Sequence, residues 1–275
     1  MTQEEIHHFH TLGFLHCKQL LSPEEMRVIA DAFDVAMRRA RGGAPEPELR
    51  QGAHGYSAKR QQVVPFFDYD PDAFYPLLDD ERIVNLFSAL MGEDFILTLS
   101  EGIIHAGGSG WHHDAVAPDG FFSMRAAIYL DALGPENGCL SVIPGSHFRE
   151  FREALIVTIG KLGVRPEDVP GRYPLCNEPG DVIFMNHKLF HSALSRKPGR
   201  RAIHINCVQN TTPEKNGEHF DWLVRFLEGE TRHWGRFYSD RLIAIAGPCR
   251  QKMLTRAIEL GFGNAGPITR LQDLR

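Results

Sequence analysis

The first ninety residues of the chain combine helical spacing of apolar positions with one short strand and one long loop. In residues 22–41 apolar side chains recur three and four positions apart, after a serine, a proline and two glutamates, which predicts a capped amphipathic helix. Residues 3–10 and 80–91 predict two further helices, the second with acids at its start and a glycine at its end. Residues 13–16 predict a short strand, and the stretch 42–62, rich in Gly, Pro and mixed charge, predicts a loop.

After these helices the pattern changes to short apolar runs separated by Gly, Pro, Asn and Asp. The runs cover residues 95–104, 122–131, 139–143, 181–186 and 201–208. Several short strands with turn residues between them predict a mainly β sandwich or barrel with flanking helices. The length of 275 residues predicts a single domain over 1–275. Within it we expect N-terminal helices in 1–92, a β core at about 93–210 and a helical C-terminal extension in 211–275.

Composition excludes several classes of protein. A formal net charge of -5 argues against a nucleic-acid partner, because nucleic-acid-binding surfaces are normally basic. No stretch reaches the roughly 18 apolar residues of a membrane span, and the polar N-terminus lacks the apolar run of a signal peptide. The five cysteines include no C-x-x-C pair, which indicates neither a disulfide framework nor a zinc knuckle. We therefore expect a cytoplasmic protein, whose oligomeric state the sequence does not indicate.

Two short stretches supply residue types that bind a divalent metal. His112 and Asp114 lie two positions apart, so they share one face where the chain is extended. His191 follows the fourth predicted strand and gives a third ligand. Two histidines and one carboxylate form the facial triad typical of non-haem Fe(II) oxygenases. His187, four residues before His191, is the reserve third ligand, whereas His113 alternates away from its neighbours and is excluded.

Polar residues on the predicted strands supply candidate contacts for small molecules. Arg200 and Arg201 follow His191 by nine and ten residues. One of these guanidinium groups is expected to bind the far carboxylate of a co-substrate whose other end chelates the metal. Arg125 and Tyr129 lie on one face of the 122–131 run and are candidate substrate contacts, with a core or surface role as the alternative for each.

Three motifs of the chain occur together in one known family. Residues 111–114 are similar to a W-H-x-D motif, residues 137–147 to an N-G-x-L-x-x-x-P-G-S-H turn, and residues 180–201 to a strand, histidine and arginine segment. In this combination the chain resembles the phytanoyl-CoA dioxygenase family of Fe(II)- and 2-oxoglutarate-dependent oxygenases. The resemblance covers most of residues 5–208. It implies a double-stranded β-helix, the jelly-roll or cupin-like fold, with helices packed on one side.

The resemblance also implies a chemistry. It places Fe(II) at His112, Asp114 and His191, and the far carboxylate of 2-oxoglutarate at Arg200. In the implied reaction 2-oxoglutarate and O2 become succinate and CO2 while a C–H bond of a small-molecule metabolite is hydroxylated. Related halogenases lack the metal-binding carboxylate, so Asp114 favours hydroxylation over chlorination.

Two departures from the family pattern concern the contacts to 2-oxoglutarate. His105 stands where the family often has a lysine that helps to hold this co-substrate. The spacing from His191 to the arginine is one residue shorter than usual, so Arg201 is the alternative to Arg200. Ser192, beside His191, is also counted among the cofactor-binding candidates.

Other functions stay open at the level of sequence. An acyl-CoA 2-hydroxylase of the phytanoyl-CoA type would need a basic rim for phosphates, which Arg196, Lys197 and Arg201 could supply. A non-catalytic module would bind 2-oxoglutarate without turning it over. A zinc or manganese jelly-roll isomerase or hydrolase would bind a metal but not 2-oxoglutarate.

Overall fold

The computed structural model describes residues 1–40, 42, 60–105, 108–114, 117–163, 165–193, 198–234 and 238–262. The α-helices are α1 (Gln3–Leu12), α2 (Pro23–Ala40), α3 (Pro71–Asp79), α4 (Glu81–Met91), α5 (Arg149–Leu162), α6 (Gly217–Trp234), α7 (Asp240–Ala244) and α8 (Pro248–Glu259). The strands are β1 (Phe14–Cys17), β2 (Arg60–Val63), β3 (Ile96–His105), β4 (Ser109–His112), β5 (Ser123–Tyr129), β6 (Leu140–Val142), β7 (Tyr173–Leu175), β8 (Val182–Asn186), β9 (His191–Ala193) and β10 (Arg200–Val208). Within this described part of the chain, no helix combines the length and the apolar character that crossing a membrane requires.

Short-range hydrogen bonds fix the ends of the first two helices. At the start of α1 the Thr2 N–H donates to the Glu5 carboxylate at 2.7 Å, and the Glu5 N–H donates to Thr2 Oγ1 at 3.2 Å. Ser22 and Glu25 repeat this reciprocal capping at the start of α2. α1 ends at Gly13, whose φ of +87° is unfavourable for residues with a side chain. These caps satisfy N–H groups that a helix leaves unpaired, which is why both helices begin where their sequences predict.

The strands form two antiparallel sheets. The larger sheet has six strands in the order β1-β8-β5-β10-β3-β2, and the smaller has four in the order β4-β9-β6-β7. Apolar side chains of both sheets meet in one core, with Ala127 and Ile183 from the larger sheet and Leu140 and Val142 from the smaller one. Two facing antiparallel sheets with helices outside them are the jelly-roll arrangement. The predicted fold class is therefore confirmed.

Helices α2, α3 and α4 cover the outer face of the larger sheet. Phe184 of β8 is fully buried, and its ring contacts that of Phe87 of α4 edge-to-face at 5.3 Å. The ring of Phe66 lies 5.1 Å from that of Phe33 of α2 and 4.9 Å from that of Phe74 of α3. Successive residues of a strand point to opposite faces. The large aromatic side chains therefore fill the helix side, and the polar residues of the site described below lie on the inner side.

The N-terminal part contributes two strands to the larger sheet in addition to its helices. β1 agrees with the predicted strand, but β2 begins inside the stretch predicted as a loop, and the rest of that prediction (residues 43–59) lies outside the described residues. β2 pairs with β3 through backbone groups at the sheet edge, and its sequence Arg-Gln-Gln-Val has no alternation of apolar residues. α3 and α5 were also not predicted; α3 carries a proline at its start and another inside, which argue against a helix at sequence level.

Candidate active site

Three potential metal ligands converge on the smaller sheet. His112 ends β4, His191 begins β9, and the two residues are paired across these strands. Asp114 follows two residues after His112. The His112 Nε2 atom lies 3.5 Å and the His191 Nε2 atom 3.4 Å from the Asp114 carboxylate. One ligand atom from each residue lies within 4.8 Å of the other two, close enough for all three to bind one ion.

Backbone carbonyl groups set the orientation of both imidazole rings. His112 Nδ1 lies 2.7 Å from the Gly110 carbonyl oxygen, and His191 Nδ1 lies 2.8 Å from that of Leu189. A carbonyl only accepts hydrogen bonds, so each Nδ1 carries the proton and each Nε2 keeps its lone pair toward the third ligand. Burial lowers the pKa of His191 to about 4, so its ring is neutral at pH 7. This donor set fits a divalent transition metal such as Fe(II).

Arg125 of β5 holds the carboxylate ligand. Its guanidinium group contacts Asp114 Oδ2, while the backbone N–H of Asp114 donates to the His187 carbonyl at 2.8 Å. Burial opposes ionisation of Asp114, but the charge of Arg125 together with the neighbouring His191 and His112 outweighs this effect and holds the pKa of the carboxyl well below its usual range. Asp114 is therefore ionised and held in position. Arg125 was predicted to contact a substrate, and the structure adds this contact with the metal-binding carboxylate.

The P-G-S-H turn supports the segment that precedes His191. Ser146, which is fully buried, accepts a hydrogen bond from the Phe190 N–H at 2.8 Å. The Ile143 N–H donates to the Phe190 carbonyl at 3.0 Å. Gly145 has a φ of +80°, a conformation that favours glycine. The turn thus fixes the backbone next to the second histidine.

The reserve ligand His187 is directed away from the triad. Its Nε2 atom lies 3.1 Å from Asn206 Oδ1. Burial lowers the pKa of His187 to about 3, so the ring is a neutral hydrogen-bonding group. His191 rather than His187 stands with His112 and Asp114.

The two adjacent arginines lie on opposite faces of β10. Arg200 is buried, on the inner face, and donates to the Gly138 carbonyl oxygen, just before β6. Burial lowers its pKa. Arg201 faces outward and forms ion pairs with Asp131 at 2.8 Å and with Asp34 of α2 at 3.2 Å. Arg200 thus stands in the interior that a co-substrate would occupy, whereas the guanidinium group of Arg201 is already engaged by two carboxylates.

Three further residues were predicted to contact the cofactor or the substrate: His105, Tyr129 and Ser192. His105 of β3 is paired with Arg200 across the larger sheet, which brings the two side chains close together on one face. Tyr129 of β5 is buried and lies close to Arg200. Its proximity partly offsets the lowering of the Arg200 pKa by burial. Ser192 follows His191 in β9, so its side chain lies on the opposite face of that strand. On that face Ser192 does not lie with the triad, and its role as a cofactor contact stays a prediction.

Sequence reasoning missed a buried polar network beside Arg125. Glu101 of β3 accepts hydrogen bonds from Asn206 at 3.0 Å and from Gln62 at 3.2 Å. His204 Nδ1 lies 3.3 Å from Arg125 and 3.4 Å from the Glu101 carboxylate. The available signal was the polar residues that alternate with apolar ones along β10, where His204 and Asn206 interrupt an apolar run.

A comparison with known sequences identifies the family. The sequence model of the phytanoyl-CoA dioxygenase (PhyH) family matches residues 9–202, which is more than half of the chain. The chain therefore belongs to the phytanoyl-CoA dioxygenase family, and the resemblance seen in its motifs is confirmed.

Individual relatives agree with this membership. Dioxygenase lolE1 from Epichloe uncinata is 30% identical over 131 residues, which are 46% of this chain and 50% of that protein. The match thus spans about half the length of the relative. Similar solved structures include EctD from S. alaskensis with 2-oxoglutarate and 5-hydroxyectoine (TM-score 0.57, 18% identity, 76% of each chain). HygX from Streptomyces hygroscopicus, with nickel and 2-oxoglutarate bound, has a TM-score of 0.57 at 17% identity over 77% of this chain and 88% of that one.

A third solved structure shows how far the fold likeness reaches. SnoK from nogalamycin biosynthesis, a non-haem α-ketoglutarate-dependent carbocyclase, has a TM-score of 0.56 at 19% identity over 76% of this chain and 84% of that one. At such identities the three structures establish a shared fold. Their substrates and reactions are their own.

Proposed function

We propose that this chain is an Fe(II)- and 2-oxoglutarate-dependent dioxygenase that hydroxylates a C–H bond of a small-molecule metabolite. The observation that carries the proposal is the convergence of His112, Asp114 and His191, with both imidazole Nε2 lone pairs directed at one point. Two nitrogens and one carboxylate match the ligand set of non-haem Fe(II) oxygenases. EctD and HygX, which share the fold, were crystallised with 2-oxoglutarate.

The cofactors would supply the oxidising chemistry, and the chain would supply position and shielding. When bound, Fe(II) and 2-oxoglutarate react with O2 to insert one oxygen atom into the C–H bond and to form succinate and CO2. Arg200, buried at the start of β10, is the candidate for the far carboxylate of 2-oxoglutarate, with His105 beside it. Arg125 keeps Asp114 ionised and oriented. The rings of Trp111 and Phe190, the residues that precede the two histidines, are stacked 5.5 Å apart and link the ends of β4 and β9. His191 itself is buried, which limits access of water to this side of the site.

The test is turnover of 2-oxoglutarate by the purified protein. With Fe(II), ascorbate and O2 we expect slow succinate formation without added substrate. The variant His112→Ala should abolish it, because two ligands hold the metal far less tightly than three. The neighbouring His113→Ala is the matched control and should retain succinate formation. Loss in both variants, or retention in both, would contradict the assignment of the triad.

Two further outcomes separate the alternatives. Calorimetric binding of 2-oxoglutarate without O2 consumption would indicate a non-catalytic module. Metal binding without any binding of 2-oxoglutarate would indicate an isomerase or hydrolase. Because SnoK is a carbocyclase, the product must also be analysed, and hydroxylation requires a gain of one oxygen atom.

A further inference from the structure

Two cysteines lie at the ends of neighbouring strands of the smaller sheet. Cys139 directly precedes β6, and Cys176 directly follows β7. The two strands are antiparallel, with Leu140 opposite Leu175. One further step along this register places Cys139 directly opposite Cys176. The two residues are far apart in the sequence, so only the pairing of the strands brings them together.

A proline determines which kind of pair the two cysteines form. Antiparallel strands alternate between pairs that exchange two N–H···O bonds and pairs that exchange none, and the second kind brings the Cα atoms to about 4.5 Å. Pro174, opposite Ser141, has no N–H, so this pair is of the second kind. The pair two positions away, Cys139 and Cys176, is then of the same kind. A separation of about 4.5 Å lies in the range of roughly 4.4 to 6.8 Å that a disulfide spans.

The side chains of the two cysteines lie side by side. Directly opposite residues of paired strands point to the same face of the sheet. Burial raises the pKa of the Cys139 thiol, and the neighbouring Cys176 thiol raises it further. Both residues are free thiols in this structure. The backbone and the side chains are therefore arranged for a bond between the two sulfurs.

The two thiols differ in their access to solvent. Cys176 is exposed, whereas Cys139 is buried, with 1% of its surface accessible. An oxidant in solution therefore reaches Cys176 first. The raised pKa keeps Cys139 a neutral thiol, so it does not react with the oxidant by itself. Cys139 is placed to react second, with the oxidised sulfur of Cys176.

Cys139 also adjoins the expected contact for 2-oxoglutarate. The carbonyl of Gly138, the preceding residue, accepts a hydrogen bond from Arg200. Cys139 itself lies close enough to Arg200 to influence its pKa. In the N-G-x-L part of the turn motif, Cys139 stands at the position that the motif leaves open. A change at this cysteine is thus connected to the Arg200 guanidinium group through one backbone carbonyl.

We propose that Cys139 and Cys176 form a reversible disulfide when a peroxide oxidises them, and that this disulfide weakens the binding of 2-oxoglutarate. The second part rests on the proposed function, because it takes Arg200 as the contact for the co-substrate. A disulfide holds its sulfurs about 2.05 Å apart, closer than two unbonded thiols. Forming it draws Cys139 toward the exposed Cys176, and the Gly138 carbonyl moves with it. Arg200, which donates to that carbonyl, is then displaced from the position that the co-substrate requires.

The reaction consumes one peroxide for each disulfide. The Cys176 thiol loses its proton, its sulfur bonds to one peroxide oxygen, the O–O bond breaks, and the released hydroxide takes up the proton to form water. The Cys139 sulfur then bonds to the Cys176 sulfur. The S–O bond breaks, and the hydroxyl group leaves as water with the proton of Cys139. Two thiols are oxidised, the peroxide is reduced to water, and an external dithiol reverses the change.

The first experiment maps the disulfide in the folded protein. Metal-free protein is treated with hydrogen peroxide, the remaining thiols are blocked with N-ethylmaleimide, and a tryptic digest is analysed by mass spectrometry without reduction. We expect peptide 126–149 to be linked to peptide 173–188, and the link to disappear after treatment with dithiothreitol. Cys176→Ser, at an exposed position, should abolish the link. Cys249→Ser, in α8, is the matched control and should retain it.

The second experiment measures the binding of 2-oxoglutarate by the same samples. After removal of the peroxide and addition of Mn(II), calorimetry compares the oxidised protein with the reduced protein. We expect the Kd to rise at least about threefold on oxidation and to return to its first value after reduction. Cys176→Ser, treated with peroxide in the same way, should keep the Kd of the reduced protein.

Each outcome decides one question. Absence of the link, a link from Cys176 to another cysteine, or equal loss of the link in Cys176→Ser and Cys249→Ser would overturn the disulfide. A link without a change in Kd would overturn its effect on the co-substrate. Failure of the reduced protein to bind Mn(II) or 2-oxoglutarate would instead overturn the proposed function, and the peptide map would still decide whether the disulfide forms.

Discussion

Neighbouring residues of this site have different roles because a strand directs them to different faces. Arg200 lies in the interior beside Gly138, whereas Arg201 lies outside between Asp131 and Asp34. The same alternation directs His191 toward Asp114 and Ser192 away from it. The chemical type of such a residue does not by itself determine its role. The face of the strand on which the side chain lies determines it.

Replacing Arg200 should separate these two roles. Arg200→Ala is expected to weaken 2-oxoglutarate binding at least about tenfold, because a charge-assisted hydrogen bond contributes roughly 1.5 to 3 kcal/mol. Arg201→Ala should lower the temperature of unfolding through loss of its ion pairs but leave the Kd for 2-oxoglutarate near that of the unchanged protein. Calorimetry with Mn(II) present measures both affinities. The reverse pattern would assign the co-substrate contact to Arg201.

Asp181, at the turn before β8, should make stability depend on pH. Burial opposes its ionisation, but hydrogen bonds from Lys18 and from the backbone N–H groups of Gln19 and Glu178 outweigh burial and lower its pKa. A folded-state pKa below the unfolded value of about 3.9 stabilises the fold fully above about pH 5, and the effect is lost as the pH falls toward the folded pKa.

The variant Asp181→Asn tests this dependence. The side-chain NH2 group of the new asparagine then faces backbone N–H groups that donate to the carboxylate of Asp181. At pH 7 we therefore expect a loss of roughly 2 kcal/mol or more in the free energy of unfolding. The difference from the unchanged protein should shrink as the pH falls below about 4. Asp31→Asn, at an exposed helix position, is the control in urea titrations at several pH values. A difference that does not change with pH would contradict the role of the charge.

At the scale of elements, the P-G-S-H turn positions one metal ligand without contacting the metal itself. Ser146 holds the backbone of Phe190, the residue before His191. Ser146→Ala should therefore weaken metal binding by roughly 10- to 100-fold, the range seen when a group that orients a ligand is lost. The matched control is Ser141→Ala, also fully buried, whose hydroxyl accepts from Arg172 at 3.0 Å. Equal metal affinities in the two variants, measured by Co(II) titration, would show that the turn acts on stability alone.

The sequence predicted elements where apolar periodicity is strong. The five predicted β runs correspond to β3, β5, β6, β8 and β10, and the triad residues follow from motif spacing. The strands β2, β4, β7 and β9 lie outside the predicted runs, because backbone pairing forms them and their side chains carry little pattern. The contact of Arg125 with Asp114 was missed for a related reason. It joins β5 of the larger sheet to a residue that follows β4 of the smaller sheet, and no local spacing encodes a sheet-to-sheet distance.

At the scale of the whole molecule, the two sheets contribute different parts of the site. The smaller sheet carries His112 and His191, and the larger sheet carries Arg125 and Arg200. In the proposed complex, 2-oxoglutarate contacts the metal at one end and Arg200 at the other, so it links both sheets. Metal alone would contact the triad only.

This arrangement predicts that the co-substrate stabilises the fold only when metal is present. A ligand at 100 times its Kd adds about 2.7 kcal/mol to the free energy of unfolding, so Mn(II) should raise the unfolding temperature and 2-oxoglutarate should raise it further. After removal of metal by a chelator, 2-oxoglutarate should have little effect, because one arginine contact alone binds it weakly. His191→Ala should lose both increments, as thermal unfolding with each ligand combination would record. An equal shift by 2-oxoglutarate with and without metal would mean that it binds away from the triad, and the shared site of metal and co-substrate would have to be abandoned.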